Sequence, residues 1–144
     1  MCSINLEKKV NTPAKRALRL SKTQRLRKPE DYRRVYQSNQ WGGSAHHTFN
    51  VNVSASRRSL GVTVSKRVAK SAVVRNRIRR QIKEFYRARQ FQLIGAELVI
   101  TAKPSCAPAS DDQRRESLEL LWDKLLRWQR WYLNNHADDG GVAE

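Results

Sequence analysis

Between positions 29 and 133 the spacing of apolar residues switches repeatedly between about 3.6 and two, and each switch predicts an element. Pro29, Glu30 and Asp31 suit a first helical turn, where proline loses nothing and carboxylates meet the positive end of the helix dipole. A short helix to about Gln37 follows, with Tyr32, Val35 and Tyr36 on one stripe. Asn39 to His47, containing Gly42-Gly43, reads as a loop. Phe49, Val51, Val53 and Ala55 then alternate with Thr48, Asn50, Asn52 and Ser54, a half-buried strand. A turn at 56–59 leads to a second strand carrying Leu60, Val62 and Val64, and the two are expected to pair as an antiparallel hairpin.

From Ser71 to about Gln90 the helical period returns. Val74, Ile78, Ile82 and Phe85 fall in one arc and cations fill the rest of the surface. Ala96 to Ala102 is an apolar run of strand length, predicted to be buried on both faces. Ser110 and Gln113 have capping-box spacing, so a long helix should start there. Its broad face of Leu118, Leu121, Trp122, Leu125, Leu126, Trp128 and Tyr132 runs to about Leu133. The order α-β-β-α-β-α predicts an α+β two-layer sandwich, a small mixed sheet with helices mostly on one face. Residues 1–20 read as a disordered basic arm, 21–133 as a single domain and 134–144 as a polar tail.

Charge changes this picture most. The 144 residues carry 29 Lys and Arg against 13 Asp and Glu, a net charge of +16 and a pI near 10.8. Such a surplus repels itself unless a polyanion neutralises it. No apolar run is long enough to span a bilayer, and charged residues interrupt the N-terminal stretch that a secretory signal would need, so the expected location is the cytoplasm, with no membrane partner. Cys2 and Cys106 lack metal-like spacing and read as free thiols.

The surplus concentrates between Lys66 and Arg89, where ten Lys and Arg face the single acid Glu84. A merely soluble helix intersperses both signs. Here like charges stack at i, i+4, which costs about 0.2 to 0.5 kcal/mol per pair until an anionic ligand removes it. Arginine favours bidentate contact with phosphate, and Asn76, opposite the apolar arc, adds a donor and an acceptor for a base edge or sugar hydroxyl. The candidate RNA-binding residues are therefore Lys66, Arg67, Lys70, Arg75, Asn76, Arg77, Arg79, Arg80, Lys83 and Arg87. No two carboxylates in this segment have the spacing of a metal pair, and the adjacent imidazoles of His46-His47 do not suit a common ligand, so neither a catalytic side chain nor a metal site is assigned. A structural RNA binder of ribosomal type shares the charge and size; a protein-only metal-dependent nuclease would need carboxylates the segment does not supply.

Val64-Ser65-Lys66-Arg67 followed by Ala72-Val73-Val74-Arg75-Asn76-Arg77-Ile78-Arg79-Arg80 resembles the signature of the bacterial ribonuclease P protein subunit. The resemblance extends more loosely over residues 24–133. It implies a protein, monomeric in its ribonucleoprotein, that binds the ribonuclease P catalytic RNA and precursor tRNA and assists removal of the 5′ leader. The RNA would perform the hydrolysis with Mg²⁺ that it binds itself. It further implies a leader cleft between the first helix and a sheet face, bordered by Tyr32, Tyr36, Phe49, Asn52 and Lys66, with Asn52 standing where some members carry a second aromatic. The resemblance also implies a left-handed crossover around the Ser71 helix, where general rules favour a right-handed one.

Overall fold

An apolar run of seven residues is best buried at the centre of a sheet, and that position organises the fold. A computed structural model describes residues 25–26, 28–53 and 58–143, with side chains up to Asn135. The strands are β1 (Trp41–Gly43), β2 (His47–Val53), β3 (Ser59–Thr63) and β4 (Ala96–Ala102), and the helices are α1 (Pro29–Gln37), α2 (Ala72–Arg89) and α3 (Asp111–Ala143). The sheet order is β1-β2-β4-β3, with β4 antiparallel to β2 and parallel to β3.

This topology overturns the expected hairpin. β2 and β3 are not neighbours, because β4 lies between them and pairs with both along Leu98, which faces Val51 on one side and Leu60 on the other. A two-stranded hairpin would leave β4 with an exposed edge. The loop expected at 39–47 also contains a short strand: Trp41 to Gly43 pairs antiparallel with Asn50 to Thr48, closed by a Ser44 N–H bond of 2.8 Å to the His47 carbonyl. Three residues with two glycines are too few to display a period. The arm at 1–20 and the first half of the turn at 56–59 lie outside the described residues.

Side-chain alternation divides the sheet. Phe49, Val51, Leu60, Leu98 and Ile100 point into the main core with Ile78, Ile82, Phe85 and Tyr86 of α2 and Leu118, Leu121, Trp122 and Leu125 of α3. Trp122 meets Phe85 and Tyr86 edge-on at centroid distances of 6.1 and 6.2 Å. The opposite face is covered by α1, whose Val35 packs with Leu26, Val99 and Tyr32. Two helices thus share one face, as expected, and the third takes the other.

Both long helices begin at recognisable caps. The Ser71 side chain accepts the Val74 N–H at 3.3 Å, and Ser110 and Gln113 bond reciprocally at 2.9 and 3.1 Å. The helix that starts at Asp111 continues past Leu133 to Ala143, into the stretch read as a tail; once nucleated, a helix gains a backbone bond for each residue it adds.

Candidate nucleic-acid interface

The dry arc of α2 fixes which side chains face outward. Ile78, Ile82 and Phe85 are buried against the sheet, and Val74 packs beside them. On the outer side Asn76, Arg77, Arg79, Arg80 and Lys83 line one depression of about 580 Å³ together with Val73 and Glu84. Lys66, Arg67 and Lys70 are exposed on the turn that joins β3 to α2. Among the described residues no ion pair engages Lys66, Arg67, Lys70, Arg77, Arg80 or Lys83. The first turn of α2 contains no acid, so its backbone N–H groups and positive dipole end add to the same field.

Three of the predicted cations have internal partners as well. Arg75 donates through Nη1 to the Ala69 and Lys70 carbonyls at 2.8 and 2.9 Å. Arg79 donates to Asn76 Oδ1 at 3.0 Å and to the Val64 carbonyl at 3.2 Å. Both therefore brace the 64–70 segment against α2. Arg87 turns to Glu84 at 2.7 Å.

The second candidate surface is the groove of about 570 Å³ beside α1, lined by Pro29, Tyr32, Arg33, Tyr36, Gln37 and Thr63. Tyr32 lies over Gly61, where a Cβ would come within 2.6 Å of the ring, so only glycine admits this approach. Its hydroxyl donates to the Leu26 carbonyl at 3.2 Å. Burial raises the Tyr32 phenol above its ordinary range, Tyr36 adds to the rise, and a bond with the Val62 backbone and, less, the charge of Arg79 oppose it. The bond of Arg79 to the Val64 carbonyl, next to Thr63 of the groove, brings the groove and the cationic helix together at the end of β3. Lys66 leaves the same strand end.

Two expected cleft residues stand elsewhere. Phe49 is buried in the main core, pairs with Ile100, and so projects from the sheet face opposite Tyr32. The strand pleat makes this unavoidable, since Phe49 shares its parity with the core residue Val51. Asn52 is on the α1 face, but its amide donates to Glu97 Oε1 at 3.1 Å. Glu97, an acid inside the apolar run, is buried and also accepts from Arg34 Nε at 2.9 Å. This contact holds the Arg34 guanidinium protonated beyond its usual range, with Asp31 assisting. Arg34 and the tyrosine pair occupy opposite flanks of α1, which puts Asn52 behind the groove wall.

Several positioning residues were not singled out by sequence reasoning. Ser117 of α3 receives the His46 N–H at 3.0 Å and bonds the Ser44 hydroxyl at 2.7 Å and His47 Nδ1 at 2.9 Å, tying the β1–β2 turn to the helix. His46 uses Nδ1 on Ser105 at 2.7 Å, so the two imidazoles serve different partners. Burial, with the charges of His46, Arg114 and Lys103, lowers the His47 pKa to about 4. Arg114, also buried, joins Gln81 of α2 to the Cys106 and Ala109 carbonyls at 3.0, 3.0 and 2.6 Å and pairs with Asp111. Cys106 is a free buried thiol, pushed up to about 11 by burial. Among the described residues no three His, Cys, Asp or Glu side chains group to hold a metal, and no helix is long and apolar enough to cross a membrane.

The sequence model of the family described as Ribonuclease P matches residues 20–126. The Ribonuclease P protein component of Aliivibrio fischeri is 35% identical over 111 residues, 76% of this chain and 95% of that protein. Its counterpart from Vibrio vulnificus is 38% identical over 109 residues, covering 74% and 91%. Among solved structures, the Staphylococcus aureus RNase P protein superposes with a TM-score of 0.66 at 23% identity, covering 71% of this chain and 94% of that one. The Thermotoga maritima RNase P protein gives 0.61 at 18% identity, covering 72% and 96%. At such identities the structures speak for the fold.

Proposed function

Because the chain belongs to the ribonuclease P protein family, we propose that it is the protein subunit of the ribonuclease P ribonucleoprotein, binding the catalytic RNA through the outer face of α2 and the 5′ leader of precursor tRNA in the groove beside α1. The observation that carries this reading is the set of exposed cations, Lys66, Arg67, Lys70, Arg77, Arg80 and Lys83, engaged by no ion pair among the described residues. Phosphates would neutralise their mutual repulsion, and the guanidinium forks would hold the RNA in a defined orientation. Asn76, its Oδ1 already accepting from Arg79, offers its amide donor to a sugar or base. Arg75 contributes by bracing the turn that presents Lys66 and Arg67.

Chemistry on this reading belongs to the RNA. We assign the Mg²⁺ that phosphodiester hydrolysis calls for to the RNA and no catalytic side chain to the protein, a reading supported by the single acid, Glu84, between Lys66 and Arg89. The protein works in the cytoplasm as one copy per particle, raising affinity for precursor over mature tRNA by holding the single-stranded leader. Tyr32 and Tyr36 supply stacking surface for it.

Assembly tests the phosphate contacts. Arg77→Ala with Arg80→Ala should weaken binding to ribonuclease P RNA and reduce the steepness of its salt dependence by about one to two, the loss of up to two phosphate contacts. The thermal midpoint should stay where it is, since neither side chain makes a bond within the described protein. Undiminished affinity across a salt series would remove α2 from the RNA interface.

A further inference from the structure

The pleat that buries Phe49 places another aromatic where sequence reasoning had none. On β1, Gly42 faces the core: a Cβ there would lie 2.7 Å from the Phe49 ring. Trp41, its neighbour on the strand, must then project from the opposite face, the one that carries α1. Register extends the placement across the sheet, for Trp41 is level with Asn50, Asn50 with Val99, and Val99 with Gly61. Val35 and Tyr32 cover the Val99 and Gly61 end of this row. Among the described residues nothing covers the other end. Asn50 is partly buried and Trp41 is 67% exposed, about 10 Å from Val99 by two strand spacings.

The adjacent row on this face consists of Gly43, Thr48, Thr101 and Thr63, with a 2.8 Å bond between the hydroxyls of Thr63 and Thr101. Tyr36, 44% exposed, and Tyr32 wall this row at its Thr63 end. The face is thus a shallow hydroxyl- and amide-bearing floor, with tyrosines at one end and an indole at the other. We propose that Trp41 is a further stacking platform for the single-stranded leader, extending its path from the tyrosines across β4 and β2 to the edge strand β1.

The chemistry favours RNA as occupant. Hydroxyl and amide groups at regular spacing suit ribose 2′-hydroxyls and base edges, and an aromatic face stacks on any base without sequence preference. A net charge of +16 opposes a second copy of this chain on the same surface. The proposal rests on the groove beside α1 being the leader site, and the test separates the two.

The probe is precursor tRNA whose leader is lengthened one nucleotide at a time, bound to holoenzyme reconstituted from the full chain and its RNA under conditions that prevent cleavage. For the wild type, affinity should rise as the leader grows and then level off. Trp41→Ala should lose about tenfold of the gain at the longer leaders, so that its curve levels off earlier, and Trp41→Phe should restore most of the loss. Tyr36→Ala should reduce the gain from shorter leaders onward. A Trp41→Ala curve that keeps the full gain, or is lowered equally at every leader length, overturns the platform while the leader dependence and the Tyr36 effect leave the groove reading intact. A wild-type affinity indifferent to leader length would overturn the groove reading itself, and the platform with it.

Discussion

His47 has no exposed surface, and its ring is held by Ser117 and lies 3.5 Å from the Cys106 sulfur. Its folded pKa of about 4 lies below the ordinary value of 6.5, so between these values the unfolded chain binds more protons than the folded one. Stability from this residue is fully present above about pH 6.5 and is lost as pH falls toward 4. We predict that the thermal midpoint declines from pH 6.5 to pH 5, above the range in which most carboxylates titrate, and that His47→Gln flattens this decline whatever it does to the midpoint at neutral pH. Persistence of the slope in the variant would assign it to another group. Arg75 teaches a related lesson. Composition gave it the same role as Arg77, yet its two bonds to the Ala69 and Lys70 carbonyls make it part of the scaffold. Only contacts distant in the fold separate the bracing arginines from the exposed ones, as they separate Phe49 from Trp41.

Among elements, those defined by local signals were legible and those defined by their neighbours were not. α2 begins where its helical period starts, α3 begins at the capping box its sequence announces, and β4 is buried on both faces as an apolar run should be. Strand pairing was misjudged because adjacency in sequence favours a hairpin, whereas β4 needs a partner at each edge, a demand that appears only when all strands compete for the same sheet. β1 carries no periodic signal at all. The α3 cap offers a direct check on element stability: Ser110→Ala should cost about 1 kcal/mol, read as a lower urea midpoint with an unchanged slope. Gln113→Ala in that background should add less than it does alone, because the two bonds form one reciprocal unit. Full additivity would mean that the box does not act as a pair.

At the scale of the whole molecule, two faces with different chemistry meet at one strand end. The helix α2 presents cations, the α1 face presents aromatic and hydroxyl groups, and Arg79 of α2 donates to the Val64 carbonyl, next to Thr63 of the groove. The polyanion preference and the cationic segment were visible in composition; the joining of the two surfaces was not, because it depends on β3 delivering Gly61 and Thr63 under α1 just before the chain turns into α2. On the proposed function the protein is an adaptor, holding a large RNA with one face and a single strand with the other. Cleavage of precursor tRNA by the cognate ribonuclease P RNA at low Mg²⁺, with and without this protein, tests that claim most directly. We predict that the protein raises kcat/KM and that the purified chain alone cleaves nothing; cleavage no better with protein than without, or cleavage by protein free of RNA, would contradict it.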